Sequence, residues 1–128
     1  MADIIRKRLT GREEGFTLIE LLVVIVILGI LLAIAVPSYM GFRNRAQQTA
    51  AQANVRAAVP AVESYYQDNN TYVGMTRAKL VQSYDAGLKL TSTAIRVSAT
   101  GYCIQATVGS YTYNKNGPTT NIVSGVCA

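Results

Sequence analysis

The sequence predicts an α+β protein in which one long N-terminal α-helix packs on a small antiparallel β-sheet of three to four strands. Three observations predict this class. The sixteen residues from Leu21 to Val36 carry no charged or hydrogen-bonding side chain. The segment that follows places apolar side chains at spacings of three and four, which is typical of an amphipathic helix. From about residue 94 onward, apolar and polar residues alternate, which is typical of strands with one buried face.

The first half of the long helix, residues 16–40, has the length of a membrane span. Twenty-five helical residues extend about 37 Å, which exceeds the ~30 Å hydrocarbon core of a bilayer. We expect a kink at Pro37, because proline donates no backbone hydrogen bond and clashes with the carbonyl group of Ala33. More basic residues precede the span than follow it, which places the N-terminus in the cytoplasm. These are Arg6, Lys7, Arg8 and Arg12 before the span and Arg43 and Arg45 after it.

The second half of the helix, residues 41–70, is amphipathic. Pro60 interrupts it and is expected to bend it, and Asn69-Asn70 is the expected end. The apolar stripe needs a cover, which the C-terminal part of the chain must supply. The stripe consists of Ala51, Val55, Ala58 or Val59, Val62, and Tyr65 or Tyr66.

Residues 71–93 are expected to form the connection between the helix and the sheet. Within it, Thr76 has the residue type and position to cap a short helix that reaches Tyr84, with Gly87 just past its end. Leu80, Val81 and Tyr84 would form the apolar side of that helix.

Residues 94–128 are expected to form the sheet and a C-terminal loop. The predicted turns are Thr100-Gly101 and Gly109-Ser110, and residues 114–118 are predicted to be a loop. Ile122-Val123 would add a short fourth strand. The alternating apolar positions are Ile95, Val97 and Ala99 in the first strand, Tyr102, Ile104, Ala106 and Val108 in the second, and Tyr111 and Tyr113 in the third.

Composition argues against several functions. The chain has no histidine and seven acidic residues, which leaves no His-based acid–base chemistry and too few carboxylates for a paired-carboxylate site. No catalytic residue, metal site or cofactor is therefore predicted. The formal charge is +5, with cations scattered along the chain, so nucleic-acid binding is not indicated.

The two cysteines, Cys103 and Cys127, are expected to form a disulfide, because an even pair in a chain that crosses a membrane indicates an oxidising compartment. Closing a loop of about 25 residues would stabilise the fold by roughly 3.5 kcal/mol. The alternative is two buried free thiols.

The segment Gly15-Phe16-Thr17-Leu18-Ile19-Glu20, followed by the apolar run, resembles the class III signal of type IV pilin precursors. Gly29 and Pro37 also stand at that family's spacing, whereas Glu13-Glu14 stands where the family more often has a basic residue. The resemblance implies that a prepilin peptidase removes residues 1–15 as a leader and N-methylates Phe16. No Ala-x-Ala-like signal-peptidase site follows the apolar run, so the span is expected to survive processing.

The resemblance also implies a pilin fold and a structural role. The precursor would lie in the inner membrane and then join a homo-oligomeric surface filament, through an assembly machinery driven by a cytoplasmic ATPase. Within the filament, the Glu20 carboxylate would pair with the Phe16 ammonium of a neighbouring subunit. The alternative for Glu20 is that it reaches the lipid headgroups. Gly29 and Pro37 would let the helix unwind on assembly, the alternative being a simple kink.

Three other functions compete with that of a pilus subunit. A pseudopilin of the type II secretion system shares the signal, although the C-terminal cysteine pair argues against it. A DNA-binding minor pilin of a competence system would bind DNA in a salt-dependent way. A membrane-anchored enzyme is disfavoured, because the soluble part is too small for a sizeable cleft and lacks histidine.

Overall fold

A computed structural model describes residues 15–91 and 96–128 of the 128-residue chain. It has two compact units: the part that ends at Met40, and Gly41–Ala128. The helices and strands follow one another in the order α1 (Leu18–Asn69), α2 (Arg77–Ser83), β1 (Arg96–Val97), β2 (Tyr102–Val108), β3 (Tyr111–Asn116) and β4 (Ile122–Ser124). The predicted α+β class, with one long helix and a four-stranded antiparallel sheet, is confirmed.

The first unit consists of the apolar part of α1. Every residue from Gly15 to Met40 is exposed, including the whole run from Leu21 to Val36. By length and composition, α1 can cross a membrane. The helix continues through Pro37 and Pro60, and the bends expected at these residues stay predictions.

The second half of α1 buries the predicted stripe. Ala51, Val55, Ala58, Val62 and Tyr65 are buried, as the spacing of three and four required. Ala61, which was not predicted, joins them. The same core contains side chains of β2, so the sheet supplies the cover that the amphipathic helix needs.

The connection contains the short helix that its capping residue predicted. The Thr76 hydroxyl oxygen accepts a hydrogen bond from the backbone N–H of Lys79 at 3.2 Å, which satisfies a free donor in the first turn. Leu80 is the buried residue of α2, and Tyr84 follows the last helical residue. The Tyr84 hydroxyl donates to the Asp68 carboxylate at 2.7 Å and so links the two helix ends.

The sheet has the strand order β1-β2-β3-β4, and each neighbouring pair is antiparallel. The first predicted strand was too long: β1 ends at Val97, and Ala99 lies in the turn. There the backbone N–H of Ser98 donates to the carbonyl oxygen of Gly101 at 2.8 Å, so the turn begins before Thr100. Ile95, its predicted first apolar position, lies outside the described residues.

The prediction of a loop at residues 114–118 was wrong at its start, because β3 runs to Asn116. Asn114 pairs with Gln105 on one side and Val123 on the other, so its backbone belongs to two ladders. Its side chain is buried and donates to the carbonyl oxygens of Gly125 and Val126 at 2.9 and 3.4 Å. Asparagine is normally depleted from strands, and this contact with the C-terminal segment compensates.

Strand β2 departs from simple alternation, because all five residues from Tyr102 to Ala106 are buried. The C-terminal segment binds the residues that alternation predicted to be exposed. The disulfide joins Cys103 to Cys127, and the side-chain oxygen of Gln105 accepts a hydrogen bond from the backbone N–H of Cys127 at 2.8 Å. The predicted disulfide is therefore present.

Candidate processing and assembly site

The start of α1 brings together the residues that the sequence singled out for processing. Gly15, Phe16 and Thr17 are non-helical and exposed, and the helix begins at Leu18. The bond between Gly15 and Phe16 therefore lies in non-helical backbone, where a peptide bond is open to an enzyme. The Phe16 ring is 91 % exposed.

Thr17 and Glu20 form a reciprocal capping box. The backbone N–H of Thr17 donates to Glu20 Oε2 at 3.0 Å, and the backbone N–H of Glu20 donates to Thr17 Oγ1 at 3.2 Å. Two of the backbone donors that a helix start leaves free are thus satisfied within one chain. The carboxylate also lies in the first turn, where the helix dipole favours negative charge.

Glu20 is surrounded by exposed apolar side chains. Phe16, Leu21 and Val24 line an open concavity of about 450 Å³ together with Glu20. A carboxylate in such surroundings loses solvation when another apolar surface covers it, and a cation can compensate for that loss.

Gly29 and Pro37 lie further along the first unit and are exposed. A Cβ atom added at Gly29 would meet nothing within 4 Å, so close packing within the chain does not require glycine there. Cys103 and Cys127 belong to the second unit. Gly15, Phe16 and Glu20 thus lie together at one helix start, whereas the disulfide belongs to the other unit.

Thr17 was missed as a functional residue, although the sequence carries its signal. A threonine followed three residues later by glutamate, immediately before an apolar run, is the pattern of a capping box. Glu20 was expected to pair with a neighbouring ammonium or to reach the lipid headgroups, and its bond to the backbone of Thr17 was not anticipated.

Glu63 gives the second unit its own polar cluster beside the core. The Tyr72 hydroxyl lies 3.3 Å from both carboxylate oxygens of Glu63. The Tyr102 hydroxyl is buried and makes no hydrogen bond of normal geometry among the residues described, although Glu63 lies near enough to raise its pKa. Burial raises the pKa of both tyrosines, and the negative charge of Glu63 adds to the effect.

A model of the prokaryotic N-terminal methylation motif matches residues 11–36, the segment that contains the helix start. The chain is 40 % identical over 98 residues to the type IV wide pilus major component of Thermus thermophilus, covering 73 % of this chain and 72 % of that protein. It is 42 % identical over 65 residues to the type IV major pilin of Myxococcus xanthus, covering 51 % of this chain and 30 % of that protein.

The chain is also 48 % identical over 61 residues to the type II secretion system core protein G of Aeromonas hydrophila, covering 48 % of this chain and 43 % of that protein. The matched part thus spans less than half of the Myxococcus and Aeromonas proteins. No solved structure matches the chain. The methylation motif and the long match to the Thermus protein agree, and the chain belongs to the type IV pilin and pseudopilin family.

Proposed function

We propose that this protein is the structural subunit of a type IV pilus, processed after Gly15, N-methylated at Phe16 and polymerised through residues 16–40. One observation carries the proposal: a continuous apolar helix surface is exposed in the single chain and lies within the segment that matches a methylation motif. An apolar surface of this size needs lipid or other apolar helices around it. A membrane-bound precursor and a bundled filament supply these two surroundings in turn.

Before processing, residues 1–15 serve as the leader and keep the N-terminus in the cytoplasm through their basic residues. The rest of the precursor is anchored in the inner membrane. A prepilin peptidase cuts between Gly15 and Phe16. Non-helical backbone at this bond favours cleavage, because a protease must bind its substrate in an open conformation.

After processing, the helices of many copies pack against one another to form a homo-oligomeric surface filament. Exchanging lipid for other apolar helices yields little net hydrophobic free energy. Assembly therefore requires the inner-membrane machinery and its cytoplasmic ATPase. Beside Thr17, the Glu20 carboxylate pairs with the Phe16 ammonium of a neighbouring subunit, so that neither charge is buried alone.

The test is the intact mass of the protein recovered from sheared cell-surface filaments. The expected mass is that of Phe16–Ala128 plus CH2, because the methyl group replaces one hydrogen atom, and minus the two hydrogen atoms lost in the disulfide. This value reports cleavage, N-methylation and the disulfide together. The membrane fraction of a strain without the peptidase is the control and should contain only the uncleaved chain. Absence of the protein from sheared filaments, with a processed form confined to the membrane, would contradict the proposal.

The second candidate is a pseudopilin of the type II secretion system, favoured by the similarity to core protein G. That similarity covers 48 % of this chain, whereas the match to the Thermus pilus component covers 73 %. The extra matched residues favour the pilus subunit. A strain that lacks this gene distinguishes the candidates, because it should lose surface filaments in one case and protein secretion in the other.

A further inference from the structure

A groove in the second unit is bordered by α1 on one side and by the end of the sheet on the other. Its volume is about 590 Å³, which lies in the range of pockets that hold small organic ligands. Positions 52, 56, 59 and 60 recur at spacings of four and three, so they share one side of α1. The basic groove, as we call it, is lined by Gln52, Arg56, Val59 and Pro60 of α1 and by Lys115, Thr120, Asn121 and Ile122 of the sheet and its last connection.

The charge of the basic groove has one sign. It contains the side chains of Arg56 and Lys115, and none of the described residues that line it is acidic. Arg56 is exposed and makes no hydrogen bond or ion pair within the described ranges 15–91 and 96–128. A guanidinium group presents a planar fork of N–H donors and keeps its charge at physiological pH. These donors are therefore available to a bound anion.

The wall of the groove opposite α1 is fixed by its own hydrogen bonds. The Lys115 ammonium donates to the carbonyl oxygens of Pro118 and Thr120. The Thr120 hydroxyl donates to the carbonyl oxygen of Asn116 at 2.6 Å. An ammonium group has one more N–H donor than these two carbonyl groups use. Lys115 is thus a positioned cation with a donor left for a ligand, and little ordering is needed when one binds.

A second copy of this chain is a poor source of the anion. Residues 41–128 carry eight basic and three acidic side chains, so identical units cannot neutralise one another. Each of the three carboxylates also accepts a hydrogen bond within its own chain. These are the carboxylates of Glu63, Asp68 and Asp85. The anion is therefore expected to come from a different molecule.

The uncharged residues of the groove favour a sugar. The amides of Gln52 and Asn121 can both donate and accept hydrogen bonds, as sugar hydroxyl groups require. Val59, Pro60 and Ile122 add apolar surface that fits the C–H groups of a sugar ring. None of the described lining residues is aromatic, so nucleic-acid bases have nothing to stack on. Two cations are also few beside the roughly six to ten phosphate contacts of a typical DNA-binding protein.

We propose that the basic groove binds an acidic saccharide, a sugar chain that carries carboxylate groups. The Arg56 guanidinium holds one carboxylate through two parallel hydrogen bonds, which is the geometry that arginine forms best with this group. Lys115 supplies the second positive charge from the opposite wall. The amides of Gln52 and Asn121 bind the ring hydroxyl groups. This binding function goes beyond that of a filament subunit and does not depend on it.

The test measures the binding of trigalacturonate to the full-length, detergent-solubilised chain by isothermal titration calorimetry. The neutral galactose trisaccharide with the same linkages is the ligand control. It is expected to bind at least about tenfold more weakly, because it carries no charge for Arg56 and Lys115 to pair with. Raising the salt concentration is expected to weaken the binding of trigalacturonate alone.

Arg56→Gln is expected to weaken the binding of trigalacturonate about tenfold without changing Tm, because Arg56 forms no bond within the described chain. Arg43→Gln is the matched control and is expected to bind normally. Arg43 is an exposed arginine of the same helix, thirteen residues and about 20 Å from Arg56. Lys115→Gln is a second variant and is expected to weaken binding likewise, since it removes the cation of the other wall.

Three results would overturn the proposal. One is equal affinity for the acidic and the neutral trisaccharide. Another is binding by Arg56→Gln within about twofold of Arg43→Gln. The third is binding of triglutamate or of a short DNA duplex as tight as that of trigalacturonate, which would make the groove a peptide or nucleic-acid site. None of these results depends on filament assembly, because each is measured on the isolated chain.

Discussion

At the scale of single residues, Glu20 combines two roles that one substitution can separate. Its carboxylate caps the backbone N–H of Thr17, and the proposed function assigns it the ammonium of a neighbouring Phe16 as well. Glutamine preserves the first role, because its side-chain oxygen can accept the same hydrogen bond. It cannot preserve the second, because it carries no charge.

We therefore predict that Glu20→Gln is cleaved and methylated but is largely missing from filaments. Removing one partner of a buried ion pair costs about 3–5 kcal/mol, since the ammonium is left uncompensated. Intact mass of the membrane fraction, together with the amount in the sheared fraction, measures both effects. Thr17→Val is the opposite control, because it keeps the charge and removes only the hydroxyl acceptor of the capping box. Normal assembly of Glu20→Gln would show that the charge is not required.

At Tyr102, the hydroxyl group alone determines the effect that we expect from a substitution. This hydroxyl group is buried and makes no hydrogen bond of normal geometry among the described residues. We predict that Tyr102→Phe is neutral or stabilises the fold by up to about 1 kcal/mol at neutral pH, since a buried hydroxyl without a well-formed hydrogen bond loses its hydration on folding. Tyr72→Phe is the matched control and is expected to destabilise by about 1 kcal/mol, because it loses the bond to Glu63. Thermal unfolding of the detergent-solubilised chain measures both, and a clear loss of stability in Tyr102→Phe would contradict this.

The raised pKa of Tyr102 predicts how stability depends on pH. The unfolded side chain ionises near pH 10, while the folded one keeps its proton to higher pH because burial opposes the charged form. The unfolded state therefore releases protons first, and stability falls as the pH rises above about 10. Tyr102→Phe is expected to show a smaller decrease between pH 9 and 11.5 than the unaltered chain, by about 1 kcal/mol or more. Parallel decreases in the two proteins would show that Tyr102 does not cause the effect.

At the scale of elements, the C-terminal segment completes the sheet. It reaches β2 through the disulfide and through Gln105, and it reaches β3 through Asn114. The two amide side chains are buried and depend on this segment for their hydrogen bonds. The segment therefore converts one face of β2 from exposed to buried.

We predict that Cys103→Ser/Cys127→Ser lowers the free energy of unfolding by roughly 3.5 kcal/mol, because the open chain regains the entropy of a loop of about 25 residues. For a unit of this size, that is a decrease in Tm of more than about 10 °C. The unaltered chain melted in excess reductant is the control and should match the variant. Equal Tm values for the oxidised and reduced chains would mean that Gln105 and Asn114 hold the segment without the disulfide.

At the scale of the whole molecule, the two units face different surroundings. Residues 41–128 bury their own core, whereas residues 16–40 bury nothing within the chain and depend on lipid or on other copies. Moving residues 16–40 from lipid into contact with other copies therefore changes the energetics of the first unit. In lipid, every backbone group must be bonded internally, which favours an unbroken helix.

We predict that filament assembly unwinds α1 between Gly29 and Pro37, which is helical in the single chain. Glycine and proline disfavour the helix by about 1 and 3 kcal/mol relative to alanine, so this stretch is the weakest in the apolar half. A filament density map should show non-helical backbone there, and Gly29→Ala/Pro37→Ala filaments should be less extensible. Continuous helical density from Gly29 to Pro37 would contradict the prediction and leave a simple kink.

The sequence by itself determined the long helix, its exposed apolar half and the buried stripe of its second half. These features depend on local periodicity and on a run of apolar residues, which the chain carries whatever its partners are. The cap at Thr76 and the turn at Gly109 were predictable for the same reason, since each depends on neighbours within a few residues. The capping box of Thr17 and Glu20 also depends on residues only three positions apart, so the local sequence predicts it.

Only the tertiary structure decided the other features of the second unit. The alternation of apolar and polar residues predicted that Cys103 and Gln105 lie on the exposed face of β2. Local composition predicted that Asn114 lies in a loop. The segment around Cys127 covers that face and satisfies both amides from more than ten residues away. The physical reason is that buried polar groups require partners, and which distant segment supplies them is decided by packing and not by local pattern.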